Sequence, residues 1–148
     1  MTSLRGPDPY AAAEARLAPL FAGRPMSPDT ICRALHETIP TYTWVGLARR
    51  NGDAVQLVAQ QGTPRRATPL APACAALVAT EATLVVHDVA ADAACRACFP
   101  DARALIVLPA GRARHVLVTS AHQGAFGLAD RALLEQVARH LAAATAGE

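Results

Sequence analysis

Residues 41–62, TYTWVGLARRNGDAVQLVAQQG, form two apolar-rich runs joined at Asn51-Gly52. Asn-Gly is the strongest short signal for a two-residue hairpin, because both turn positions need a positive φ that these residues tolerate. A second pair of apolar runs, ARALIVLPAGRARHVLVTSA, turns at Ala110-Gly111, and a shorter run, TLVVHD, precedes it. Hairpin partners run antiparallel, so this chain is committed to an antiparallel sheet.

Helical segments surround these strands. PYAAAEARLAPLF, from Pro9 to Phe21, favours a helix weakened at Pro19. In SPDTICRALHETI, Ser27 is placed to cap, Pro28 suits the first turn and Asp29 complements the helix dipole. Ile31, Leu35 and Ile39 recur every fourth position beside Cys32 and mark a buried stripe. A short helix is expected from Cys74 to Thr80, and a closing one from Leu128 to Ala144 with Gly127 at its cap and Leu134, Val137 and Leu141 inward. Residues 89–101 read as an irregular loop or short helix. The order implies an α+β domain with helices on one face of a mainly antiparallel sheet. Residues 1–26 form a tail and helix ahead of a domain spanning 27–148, a single domain in all.

With 148 residues, 52% of them apolar, the chain can bury a core without structural metal. It contains no lysine, so a phosphate-loop lysine and a Schiff-base lysine are both excluded. A net charge of +2 and 4% aromatic residues argue against nucleic acid as a partner. No apolar run suits a membrane span or a secretory signal, so a cytoplasmic location with reduced cysteines is expected. Neither a Ser-His-acid set nor paired catalytic carboxylates stand out.

The cysteines are Cys32, Cys74, Cys95 and Cys98, the last two in a C-x-x-C. Zinc needs four ligands, and neither a second pair nor a spaced histidine pair accompanies this one, so no metal and no cofactor is expected. Two readings of Cys95 and Cys98 stay open. Either Cys95 resolves a sulfenic acid on Cys98 in a local disulfide, or both thiols fill apolar gaps. Trp44 lines either a pocket or an ordinary core. Arg49-Arg50 and Arg65-Arg66 read as a solvated rim, with forks suited to an anionic ligand as the alternative.

The stretches VVHDVAADAACRACFPDARALIVLP, HVLVTSA and GAFGLADRALLEQVARHLAAA resemble the GAF domain family, and the likeness covers roughly residues 27–145. It implies a GAF-like (PAS-related) antiparallel sheet with flanking helices, a ligand-binding or sensory role, and a homodimer through terminal helices. One enzymatic branch of that family, the free methionine-R-sulfoxide reductases, is similar in spacing. Cys74 precedes Asp88 by 14 positions, Cys98 follows it by 10, Pro109 follows Cys98 by 11, and TWVG around Trp44 is similar to the reductases' NWAG. The resemblance implies catalytic-site roles for Cys98 and Cys74.

The chain also departs from that branch. The loop TPRRATPLAPA lacks the reductases' third cysteine, Leu105 stands where a glutamate is expected, and Val118 and Ser120 stand where aspartates are expected. Those acids would hold the ammonium of the substrate. A standalone GAF-type small-molecule or redox-sensing domain with a degenerate pocket is therefore the first expectation. Its pocket would be lined by Trp44, Leu105, Val118 and Ser120, with the Cys95–Cys98 loop as a lid. The alternatives are a divergent reductase in which Cys98 attacks sulfur and Cys74 or Cys95 resolves, and an interaction module reporting to a partner signalling protein.

Overall fold

A computed structural model describes residues 8–144. Residues 1–7 and 145–148, the bulk of the expected tail among them, lie outside the described residues. The elements are α1 (Pro9–Arg16), α2 (Ala18–Phe21), α3 (Pro28–Thr38), β1 (Trp44–Asn51), β2 (Ala54–Gly62), α4 (Pro72–Val78), β3 (Leu84–Val86), a 3-10 turn (Val89–Ala91), α5 (Ala93–Cys98), β4 (Ala104–Pro109), β5 (Arg114–Ser120) and α6 (Leu128–Ala144). The strands form one five-stranded antiparallel sheet in the order β2-β1-β5-β4-β3.

Local signals account for most boundaries. Ser27 accepts the Thr30 N–H at the start of α3, and Pro28 occupies its first turn. The expected helix over Pro9–Phe21 is two helices broken at Leu17, since Pro19 has no N–H to continue the ladder. The expected loop around the C-x-x-C is largely the helix α5, started by Asp92, whose carboxylate accepts the Cys95 N–H at 3.0 Å. That bond holds the Asp92 carboxyl below its usual range.

Helices cover both faces of the sheet, not one. Ile31, Leu35, Leu134 and Val137 of α3 and α6 pack on one face with Val45, Ile106 and Val118. Ala13, Leu17 and Leu20 join the same cluster, so residues 9–21 are built into this core. On the opposite face Ala75, Val78 and Cys95 of α4 and α5 pack against Val55, Leu105 and Leu117. Because both faces are covered, Ala104–Leu108 is buried at every residue and shows no hydropathic alternation. No helix among the described residues is long and apolar enough to cross a membrane.

One buried carboxylate ties the first face together. Asp130, 3% exposed, accepts the Tyr10 hydroxyl at 3.0 Å, the Tyr42 hydroxyl at 2.7 Å and the Gly127 N–H at 2.9 Å. It thereby joins α1, the approach to β1 and the first turn of α6. Burial and then the Asp130 contact push the Tyr10 phenol up to about 12 and the Tyr42 phenol upward as well. Both contributions are fully present below the ordinary phenol value of about 10 and are lost as pH rises through the folded values. Urea melts should therefore show stability falling from about pH 10 upward. Tyr42→Phe, which removes one donor from the buried carboxylate, should cost about 1–3 kcal/mol at neutral pH.

Candidate functional site

The site lies on the α4/α5 face, and strand alternation decides which residues reach it. Directly paired residues share a face, and Trp44, Thr119 and Leu105 form one row across β1, β5 and β4. Trp44 and Leu105 belong to the α4/α5 cluster. Val118 does not: it packs on the α3/α6 face. Ser120 pairs with Ala104, which also packs there, and its hydroxyl accepts the His122 N–H. The β5 positions on the site face are Leu117 and Thr119, one residue out of step with the sequence reading. Trp44 and Leu105 are themselves fully buried, so they floor the site and do not line an open pocket.

Three features hold the Trp44 indole in place. Gly46 leaves room for it: a Cβ there would run into the indole's six-membered ring, with Cζ2 at 2.8 Å. Opposite Gly46 sits Gln60, whose Oε1 accepts the indole N–H at 3.0 Å. Gln60 reaches this face only because β2 carries a bulge. Leu47 pairs with Ala59 but Ala48 pairs with Leu57, leaving Val58 as the extra, exposed residue. Val55 and Leu57 precede the bulge on the site face, Ala59 follows on the other, and Gln60 returns to the Trp44 side.

Gln60 also grips the loop after β2. Its Oε1 accepts the Arg66 N–H at 2.8 Å and its Nε2 donates to the Arg66 carbonyl at 2.9 Å. With its backbone held, Arg66 turns inward. The guanidinium carbon stands 4.6 Å from the centroid of Trp44 and 4.7 Å from that of Phe99, and two N–H groups pair with the Asp101 carboxylate at 2.8 and 3.1 Å. Only 9% of this side chain is exposed, so Arg66 is not the solvated rim residue expected of it. A planar cation stacked on two rings and forked onto a carboxylate fills the space above Trp44.

Beside this cluster Cys74 of α4 and Cys98 of α5 form a disulfide, with Cα atoms 5.6 Å apart. Together with Arg65, Arg66, Leu70 and Phe99 they line an open cleft of about 290 Å³. The local Cys95–Cys98 pairing is overturned. Cys95 is buried and unpaired in the α4/α5 core, while Cys98 is bonded to Cys74 of α4. Burial, with the Asp92 charge adding to it, pushes the Cys95 thiol up to about 11, so at neutral pH it lacks the thiolate that a resolving cysteine needs. Cys32 is buried in the other core, and burial pushes its thiol up to about 12. No group of three or more His, Cys, Asp or Glu among the described residues could hold a metal.

Gln60, Phe99 and Asp101 belong to the site without having been expected there. Phe99 carried a signal, an aromatic next to Cys98 in a chain poor in aromatics. Gln60 carried none, since a bulge leaves no mark in the alternation.

No protein-family model matches the chain, and no curated protein matches it. Solved structures do. The free methionine-R-sulfoxide reductase from Neisseria meningitidis, in complex with its substrate, is 24% identical with a TM-score of 0.75, covering 95% of this chain and 92% of that one. The type II free methionine-R-sulfoxide reductase from Thermoplasma acidophilum is 22% identical with a TM-score of 0.69, covering 93% and 94%. The GAF domain from an Acinetobacter phosphoenolpyruvate-protein phosphotransferase is 11% identical with a TM-score of 0.68, covering 94% and 91%. The chain has the GAF fold, shared by the two reductases and the phosphotransferase GAF domain.

The clamp predicts a specific fragility. Asp101→Ala leaves a largely buried guanidinium without its carboxylate and should destabilise the protein by on the order of 2 kcal/mol or more. Tryptophan emission should shift to the red as Arg66 leaves the indole, and chemical denaturation followed by fluorescence reads both effects.

Proposed function

We propose that this GAF-fold chain is a thiol-based redox-sensing domain whose responsive element is the Cys74–Cys98 pair. The observation that carries this reading is the placement of those two cysteines on separate helices at an open cleft, while Cys32 and Cys95 are buried in the two cores. A peroxide is the chemical class of oxidant. The Cys98 thiolate attacks one peroxide oxygen, the O–O bond breaks, and an alcohol or water leaves with the thiol's proton. The resulting sulfenic acid is attacked by the Cys74 thiolate, the S–O bond breaks, and a second water leaves as the S–S bond forms. Two thiols are oxidised by two electrons and one peroxide is reduced by two.

The consequence is mechanical. The bond joins α4 to α5 across 24 residues of sequence. In the chain-entropy account such a crosslink is worth roughly 3–4 kcal/mol. Oxidation thus rigidifies the helical layer above the cleft, and reduction releases it. The filled cage fits a domain that no longer takes a free amino acid. The one carboxylate at the cleft, Asp101, is committed to Arg66, so nothing remains to pair with a substrate ammonium.

Intact-mass analysis of reduced protein treated with hydrogen peroxide should show the loss of two hydrogens, and peptide mapping should locate it at Cys74–Cys98. Cys98→Ser should abolish that loss and Cys95→Ser should leave it unchanged. A Cys95–Cys98 crosslink, or no crosslink at all, would overturn the reading.

The reductase alternative draws on the fold shared with the reductases and on the resemblance in cysteine spacing. It requires turnover of free methionine-R-sulfoxide with a thiol reductant, and we expect no saturable binding of that compound by calorimetry. Saturable binding, with turnover abolished in Cys98→Ser, would establish the reductase in place of the sensor.

A further inference from the structure

A second cavity, of about 430 Å³, lies at the other end of the same sheet face, where the β1–β2 and β4–β5 turns come together. Arg50, Thr80, Glu81, Arg112 and His115 are among its lining residues. It shares no lining residue with the cysteine cleft, and nothing argued for the redox pair requires it.

Two of the residues lining it carry polar atoms left over by the fold. His115 is 3% exposed, and its Nε2 lies 2.8 Å from the Thr80 carbonyl. A carbonyl only accepts, so Nε2 carries the hydrogen and Nδ1 presents a bare lone pair. That Nδ1 is buried with no partner, and so is the Thr80 hydroxyl oxygen. Burial, and secondarily the charge of Arg50, hold His115 below its ordinary value, which keeps the ring neutral. A buried acceptor and a buried hydroxyl without partners are each unfavourable, and a bound group that meets them relieves this.

The rim supplies charge. Arg50 and Arg112 are exposed guanidinium groups at the cavity, and the Arg50 Nη2 lies 3.5 Å from the Arg112 carbonyl, which draws Arg50 toward the β4–β5 turn. Glu81 is the single carboxylate, also exposed, so cationic groups exceed it on the rim. Anionic oxygens suit the two forks, while the buried ring asks for a ligand that donates a hydrogen to Nδ1.

We infer that this cavity is a binding site for a small oxyanion that carries its own O–H donor, such as a protonated phosphate group or a hydroxycarboxylate. The exposed arginines attract the charge, and the buried His115 acceptor with the Thr80 hydroxyl selects for the donor. Glu81 limits the total negative charge admitted.

Two dianions of similar size separate these roles. At mildly alkaline pH inorganic phosphate keeps one O–H, whereas sulfate has none. In the full chain, the His115 imidazole nitrogens are followed by NMR while each anion is titrated at constant ionic strength. Phosphate should give a saturable shift of Nδ1, and sulfate should bind at least about tenfold more weakly, the effect of facing a buried lone pair without a hydrogen to offer it. Arg112→Ala, a change in an exposed turn, should weaken phosphate several-fold with the melting temperature unchanged, and Thr80→Val should narrow the gap between the two anions. Equal responses to phosphate and sulfate would overturn the selection by His115. The absence of any saturable Nδ1 shift would overturn the site, leaving a cavity filled by water. Neither result touches the mapping of the Cys74–Cys98 crosslink, so the two readings fail separately.

Discussion

A sheet buried on both faces must divide the side chains of every strand between two cores, and in this protein that division governs what each face can do. The face covered by α3 and α6 takes Val45, Leu47, Ile106 and Val118 and is apolar apart from the Asp130 network. The face covered by α4 and α5 takes Trp44, Leu105 and Leu117, and both cavities with polar lining residues open there. Stability and chemistry are thus carried on opposite sides of the same strands. A one-residue slip in β5 would exchange Leu117 for Val118 and move a residue from one role to the other.

Arg66 shows how a surface residue type becomes internal. A guanidinium is costly to desolvate unless its hydrogens and its charge are answered. Here Asp101 answers the charge and two of the N–H groups in a fork, Trp44 and Phe99 cover its faces, and Gln60 fixes the backbone from which it departs, while the buried Nε–H is left without a partner. The arrangement depends on the bulge at Val58, because an unbroken alternation would turn Gln60 to the other face and leave the indole N–H without its acceptor.

Helix α4 connects the two ends of this face. Cys74 lies in its first turn beside the cleft, and Thr80, two residues past its end, meets His115 at the second cavity. The helix has only seven residues and buries Ala75 and Val78, so few apolar contacts hold it apart from the disulfide.

The sequence by itself determined the identity of nearly every element. Gly52, at φ 64°, turns the first hairpin together with Asp53, one position later than the expected Asn51-Gly52, because Asn51 stays in β1 paired with Ala54. Ser27 and Pro28 set the start of α3, and the stripe of Leu134, Val137 and Leu141 set the inward side of α6. The resemblance in the spacing of Cys74, Asp88 and Cys98 singled out both cysteines without pairing them. These signals are local, resting on turn dihedrals, caps and helical period. Only the tertiary structure decided which face each strand residue joins, because ALIVL in β4 is apolar at every position and leaves no alternation to read. It alone also decided that Cys98 meets Cys74 and not Cys95, that Arg66 and not Arg65 turns inward, and that Gln60 reaches Trp44. Each of those outcomes depends on packing between segments distant in the chain or on a bulge, and neither is written in the pattern of a single segment.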